Sequence, residues 1–432
     1  MKKQRIVLIF TVVSLLLMLG SILYQTLQEE DPYRFYTGLG QEFDIGPDDS
    51  RVAFSYFLDG HEAIYVSNLD GTDVTRLSEK IEGRSHSPKY SSDGEELLFL
   101  TEDYQRIQTI TVMNHDGSNA KRLALDSLHV TDAVFAPDKE SIYFVAMPAS
   151  EVGKSEGETK EGFDLYQVHR QSDQVDQLTD RDHFSMNDLS ISADGKTLYY
   201  SLYKTTEQLV AYSLEKKTES SVAQIKDDMY SSVLSKDGTL LAYTAVTEQS
   251  KNTSLFHYEL FVKNIESNKT NQLTDLQANV QSPVFLHEKD EIAFLHYENW
   301  PGEPEEYQLM SVSLTGNGKP ELINLDLPAS SGSYFIPKTI GFMLSEQAIA
   351  VYYILFFAGL ILIAQRKSGK VYLPSLVSLA LAVLTFVGSF IIGFFTNPWY
   401  GIGLGMVAIT MFVCSLLLIL FSFILKRFTR RS

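Results

Sequence analysis

Tyr90-Ser91-Ser92-Asp93-Gly94 followed by Leu97-Leu98-Phe99 is the stretch that decides how this chain folds. Asp93-Gly94 is a turn signal, because glycine reaches positive φ without steric cost and aspartate bonds to its own backbone. Leu97-Leu98-Phe99 is a β-rich triplet. The pair of signals recurs along the chain. Pro47-Asp48, Pro137-Asp138, Asp194-Gly195 and Asp237-Gly238, with Glu288 as a degenerate sixth, stand where Asp93-Gly94 stands. Four residues after each acid begins a triplet: Val52-Ala53-Phe54, Ile142-Tyr143-Phe144, Leu198-Tyr199-Tyr200, Leu241-Ala242-Tyr243 and Ile292-Ala293-Phe294.

Each unit continues alike. An alternating strand follows, as in Ile64-Tyr65-Val66-Ser67, Leu165-Tyr166-Gln167-Val168 and Leu260-Phe261-Val262-Lys263. A polar turn such as Asp70-Gly71 or Asp116-Gly117 comes next, and the unit closes on Leu77-Ser78, Leu178-Thr179-Asp180 or Leu273-Thr274-Asp275. Four antiparallel strands in about 45 residues is the pattern of a propeller blade. One blade cannot bury both its faces, so six must pack around a central axis. The expected fold class is all-β: a six-bladed β-propeller with one N-terminal and three C-terminal transmembrane α-helices.

These units resemble the propeller repeats of the TolB family, in which S-P-D-G-like turns precede an I-A-F-like strand. Tyr90–Phe99 carries the resemblance, as does Phe135-Ala136-Pro137-Asp138 with Ile142-Tyr143-Phe144. It covers about Glu42–Asp326 and none of the apolar helices. TolB's N-terminal α/β domain has no counterpart here, since only about 17 residues separate the first apolar segment from the propeller. The resemblance implies a TolB-like propeller in a membrane-anchored variant.

Four apolar segments read as membrane spans: Ile6 to about Tyr24, Ala348–Ala364, Tyr372–Phe395 and Ile402–Leu425. Each approaches the roughly 20 residues a bilayer requires. The expected organisation is a basic tip and first span over 1–26, a linker over 27–41, the propeller over 42–326, a linker over 327–347, three spans over 348–425 and a basic tail over 426–432. Lys2, Lys3 and Arg5 precede the first span, Arg366, Lys367 and Lys370 follow the second, and Lys426, Arg427, Arg430 and Arg431 follow the fourth. Basic residues favour the cytoplasmic side. Both termini are therefore expected in the cytoplasm of a bacterial cell, and the propeller outside its membrane. All 54 acidic residues and 26 of the 36 basic ones lie between Glu29 and Glu346, a formal charge of −28. Such a surface repels nucleic acid and suits cations or basic peptides.

Catalytic signatures are missing. The chain has no Gly-x-Ser-x-Gly elbow, phosphate loop, kinase set or H-E-x-x-H motif, which sets aside the hydrolases that similar propellers cap. No Asp, Glu, Lys, Arg or His lies within the four apolar cores, and ion or proton pathways normally need such a group. The one cysteine, Cys414, lies in an apolar stretch, so the polar region holds neither disulfide nor thiolate metal site.

Candidate binding positions come from the repeat. Six residues before each turn acid stand Glu42, Ser87, Asp132, Asp188, Ser231 and Ser282. On innermost strands these would ring the mouth of a channel with three carboxylates and three hydroxyls, oxygen ligands that suit a hard cation such as calcium. The alternative is that they cap strand starts or hold channel water. His86, His129 and His183 also precede innermost strands, and a lyase family related to TolB binds metal through propeller histidines. Insertions open at Met147–Gly162, Val246–His257 and Tyr297–Tyr307. The last, acidic around one tryptophan, offers Trp300, Glu303, Glu305 and Glu306 as a partner-binding loop. Its alternative is a tryptophan folded back on its blade.

The reading is a non-enzymatic binding, sensing or protein-interaction module at the outer face of a bacterial cytoplasmic membrane. Its partners would be the lipid bilayer and a membrane or cell-envelope protein, with no nucleic acid and no cofactor beyond a cation. An extracytoplasmic lyase or hydrolase working at the channel mouth and a structural subunit of a membrane complex are the alternatives.

Overall fold

The computed structural model describes residues 2–27, 31–79, 81–154, 157–203, 207–222, 229–315, 318–330 and 332–429. Two compact units divide the chain, one of residues 32–331 and one joining 1–31 to 332–432.

The first unit is a β-propeller of four-stranded antiparallel blades. They are β1 (Gly38–Ile45), β2 (Arg51–Leu58), β3 (His61–Asn68) and β4 (Thr75–Arg76); β5 (Arg84–Tyr90), β6 (Glu96–Glu102), β7 (Gln108–Asn114) and β8 (Lys121–Arg122); β9 (Leu128–Phe135), β10 (Ser141–Pro148), β11 (Asp164–His169) and β12 (Gln174–Gln177); and β13 (Met186–Ile191), β14 (Thr197–Tyr203), β15 (Glu207–Ser213) and β16 (Thr218–Ser221). Two more four-strand sets follow: β17 (Met229–Leu234), β18 (Leu240–Val246), β19 (Tyr258–Asn264) and β20 (Thr270–Gln272), then β21 (Asn279–Phe285), β22 (Glu291–Tyr297), β23 (Tyr307–Ser313) and β24 (Glu321–Leu322). These last two join into one sheet, where the repeat predicts two, because Tyr258 of β19 pairs in parallel with Asn279 of β21.

The recurrent triplets are the second strands, and burial explains their chemistry. Leu97, Leu98 and Phe99 are fully buried, as are Val52, Ala53, Phe54, Ile142, Phe144, Leu198, Tyr200, Leu241, Ala242, Tyr243, Ile292, Ala293 and Phe294. A strand sandwiched between two neighbouring sheets needs apolar side chains on both faces. Among the described residues, core clusters lie between consecutive sets: Ala53 and Ile64 with Phe99, Leu98 and Ile110 with Phe144, Val145 with Tyr200, Leu209 with Tyr243, and Ala242 with Phe294. A further cluster joins Phe43 and Phe54 of the first set to Ala293 and Leu309 of the last.

Both ends of this unit are bound down. The Tyr33 ring stacks on Phe57 at 4.7 Å, and Gly60 donates its N–H to Tyr36 O at 2.8 Å. Gly60 has a φ of 86°, and any Cβ there would strike the Arg34 carbonyl. At the other end, Tyr56 donates to Pro328 O at 2.6 Å and Ser330 Oγ to Asp59 Oδ1. Residues 32–37 and 327–330, read from the sequence as linkers, therefore pack on the first blade.

The second unit holds α1 (Lys2–Leu27), α2 (Phe335–Met343), α3 (Glu346–Ser368), α4 (Leu373–Phe395) and α5 (Pro398–Thr429). Four of them, α1, α3, α4 and α5, are long and apolar enough to cross a membrane. α1 packs on α3, where Gly359 admits the Thr11 side chain, and α4 packs on α5. Gly401 meets Gly393 so closely that a Cβ would come within 2.6 Å of its Cα. Hydroxyls lace the interior: Ser378 Oγ lies 2.7 Å from both Tyr353 Oη and Ser415 Oγ. The short α2, within the stretch read as a linker, is a new element.

Candidate functional site

The first strand of each set packs on the first strand of the next: β1 on β5, β5 on β9, β9 on β13, β13 on β17 and β17 on β21, while β21 meets β1. The six candidate positions fall at equivalent places on these strands. Each lies mid-strand, where the register slips by a bulge, rather than at a strand end. Ser87, Asp188 and Ser282 have positive φ there, at 54°, 56° and 52°. A bulge bends the strand and re-aims side chains.

Two of the three carboxylates bind the next strand. Asp132 Oδ2 accepts the Leu189 N–H at 2.7 Å, and Asp188 Oδ2 accepts the Ser232 N–H at 2.8 Å and the Ser201 hydroxyl at 2.9 Å. Ser282 Oγ donates to Gln41 O at 2.8 Å, linking the last set to the first. Asp44, which the repeat offset passed over, joins this group: its Oδ2 accepts the Tyr90 N–H at 2.7 Å. Glu42, by contrast, is exposed.

Lys89 is the second residue the offset passed over. Burial opposes its charge, but the negative fields of Asp44, Asp132, Glu42 and Asp188 win, and its pKa is raised. It stays an ammonium. The carboxylates feel the same competition from the other side. Burial pushes Asp132 up to about 7, Lys89 pulling it down and Glu42 and Asp188 pushing it further. Asp188 and Asp44 are raised too, burial outweighing the hydrogen bonds and, for Asp44, Lys89. A sequence signal existed: Asp44 and Lys89 each stand four residues before their turn acid, opposite charges at one repeat position.

A second group gathers where the first three sets begin. Burial lifts Glu62 to about 8, while Ser55 and Arg84 draw it down and Glu102 and Glu42 raise it again. Gly40 leaves room for this carboxylate, since a Cβ would lie 2.9 Å from Glu62 Oε1. Burial lowers the pKa of His86 and of His129, against the pull of Glu102. His129 Nδ1 accepts the Gln108 N–H at 3.2 Å, and Gln108 Nε2 donates to Glu102 Oε2 at 3.3 Å. His183 stands apart, paired through its backbone to Phe163 and 3.9 Å from Glu219. Among the described residues, no group of three or more His, Cys, Asp or Glu could hold a metal ion.

The Trp300 loop packs against its own blade and the one before it. Trp300 Nε1 donates to Phe256 O at 2.9 Å, and its ring meets Tyr297 at 5.2 Å and Tyr258 at 5.9 Å, both edge-on. Glu305 is held by the Tyr33 hydroxyl, and its carbonyl accepts from Tyr36 at 2.6 Å. Glu303 and Glu306 remain exposed. Of the long insertion at Met147–Gly162, residues 155 and 156 lie outside the described residues.

No family model and no curated protein matches this chain. Solved structures do. TolB from Acinetobacter baumannii has a TM-score of 0.49 at 17% identity, over 63% of this chain and 63% of that one. This chain is similar in fold to TolB. A second TolB structure, from Agrobacterium tumefaciens, has a TM-score of 0.45 at 13% identity over 60% of this chain and 84% of its own. An oligogalacturonate lyase in complex with manganese has a TM-score of 0.46 at 11% identity, over 64% and 90%. The likeness of this TolB-like chain to all three is one of fold, and it spans 63% of the Acinetobacter protein.

Proposed function

We propose that this chain is a membrane-anchored binding module whose propeller takes a positively charged ligand, an ammonium or guanidinium group, at the mouth of its axial channel. The observation that carries this is an acid-rich group, Glu42, Asp44, Asp132 and Asp188 on first strands with Glu62 of β3 and Glu102 of β6 near them, against Lys89 and Arg84. An ammonium already sits in the field of four of these carboxylates, which supports a cation of that chemistry over a metal ion. The channel itself rests on six blades closing into a ring. Support for closure comes from the cyclic order of strand contacts and from the core shared by the last and first sets. The propeller lies outside the cell and both termini inside, by the three basic clusters.

A second reading has one observation behind it. Two histidines kept neutral by burial near Glu102 are suited to proton transfer, which favours an exterior lyase or hydrolase.

Calorimetry on the full chain in detergent separates these. A tetralysine peptide should bind, more weakly as salt rises, and Glu42→Gln/Glu102→Gln should weaken it about tenfold, while tetraglutamate and calcium chloride give no heat. Equal heats from tetralysine and tetraglutamate, or none from either, sink the cation reading. Strong calcium binding would restore the metal site.

A further inference from the structure

α2 breaks the rule that apolar side chains find cover. Phe335, Ile336, Ile340, Phe342 and Met343 are all exposed, Phe335 by 76% and Phe342 by 74%, and none of the nine residues is buried. They are not scattered. At about 100° per residue, Phe335, Ile336, Thr339, Ile340, Phe342 and Met343 share one side, and Pro337, Lys338 and Gly341 the other. This is an amphipathic helix with its apolar side unpartnered.

Its place in the chain says what covers it. α3 begins at Glu346, and no charged residue follows until Arg366, so Glu346 marks one edge of the apolar span. Met343 is three residues before Glu346, and three residues reach at most about 10 Å. The headgroup layer on one side of a bilayer is about 5–8 Å thick. The C-terminal end of α2 therefore cannot leave the membrane boundary. Hydrogen bonds hold the elbow: Tyr352 of α3 donates to Met343 O at 2.9 Å, Gln25 of α1 donates through Nε2 to Leu344 O at 2.8 Å, and the Ala348 N–H donates to Ser345 Oγ at 3.3 Å. Two membrane helices thus clamp the elbow.

We infer that α2 is a lipid-interface helix, lying in the plane of the bilayer with Phe335, Ile336, Ile340, Phe342 and Met343 among the acyl-chain ends and Lys338 towards headgroup and water. Short apolar helices with a basic polar side behave this way, and a tyrosine at the boundary, here Tyr334, suits the headgroup level. The helix sets the height at which the chain leaves the membrane. This inference is independent of what the propeller binds.

The test uses the full chain in nanodiscs of phosphatidylcholine and phosphatidylglycerol, with Cys414→Ser and single cysteines carrying nitroxide labels. Labels at Ile336 and Ile340 should be relaxed by oxygen and shielded from a water-soluble nickel chelate, and one at Lys338 should show the reverse. Phe423, exposed on α5, reports lipid, and Tyr104, 92% exposed on the propeller, reports water. Ile340→Lys/Phe342→Lys should lift the Ile336 label several-fold towards the nickel reagent. The inference fails if Ile336 and Ile340 match Tyr104. It fails equally if both labels are hidden from both reagents, which would mean that protein covers the helix.

Discussion

Lys89 and Asp132 carry opposite charges, and their environments act on each in opposite senses. The ammonium of Lys89 is held by Asp44, Asp132, Glu42 and Asp188, whereas Asp132 is pushed up to about 7 because burial outweighs Lys89. An acid raised in the folded state binds more protons folded than unfolded between its two pKa values. Its contribution therefore falls as pH rises, here from about 4 to about 7, and the destabilisation is complete above that window. Asp132→Asn keeps an acceptor for the Leu189 N–H but loses this penalty. It should gain about 1–3 kcal/mol relative to wild type between pH 5 and pH 8, since one pKa unit is worth about 1.4 kcal/mol. Denaturant melts of the full chain at both pH values check this, and parallel curves would show that Asp132 is solvated. Lys89→Met should act the other way. Losing the ammonium leaves buried carboxylates unmatched and should cost about 3–5 kcal/mol at pH 8, with less lost at pH 5, where Asp132 is protonated. An equal loss at both would mean that Lys89 matters only for packing.

Blades are the next scale, and their second strands hold them together. Phe99 is fully buried among Ala53, Ile64, Val66, Leu97 and Met113, side chains from two neighbouring blades. Phe99→Ala should cost about 3–5 kcal/mol, by lost transfer energy plus the cavity left behind. Chemical denaturation measures it, and a loss below about 1 kcal/mol would contradict the burial. The triplets were legible in the sequence because burial on both faces demands apolar residues at consecutive positions. α2 was not legible: nine residues with a proline at the third position read as linker, and its C-terminal end is held by the Ser345 hydroxyl, which donates to Phe342 O at 2.8 Å, and by the bonds from Tyr352 and Gln25.

At the scale of the whole molecule, two units of opposite character share one chain. The propeller carries the acidic charge, and the helical unit pairs α1 with α3 and α4 with α5 although α1 is some 300 residues distant in sequence. By the positive-inside rule, the three basic clusters predict a topology with both termini in the cytoplasm. Protease added to intact protoplasts should cut a tag inserted after Lys154 and spare one fused to Ser432. A protected propeller tag, or an accessible C-terminal one, would reverse the topology.

The repeat and the spans were written in local chemistry. A turn acid, a glycine at positive φ and a β-rich triplet act within ten residues of one another, and an apolar run long enough for a bilayer is a property of one segment, so each can be read off the chain directly. Tertiary structure alone decided what those elements bring together. Asp44 meets the Tyr90 N–H and Asp132 the Leu189 N–H because bulged strands from consecutive blades lie side by side. His86 and His129 share the field of Glu102 while His183 lies with Glu219, and Trp300 is drawn back onto Phe256 and Tyr258. Burial and electrostatic fields depend on distance through space, and residues 40–60 positions apart acquire that distance only when the blades pack.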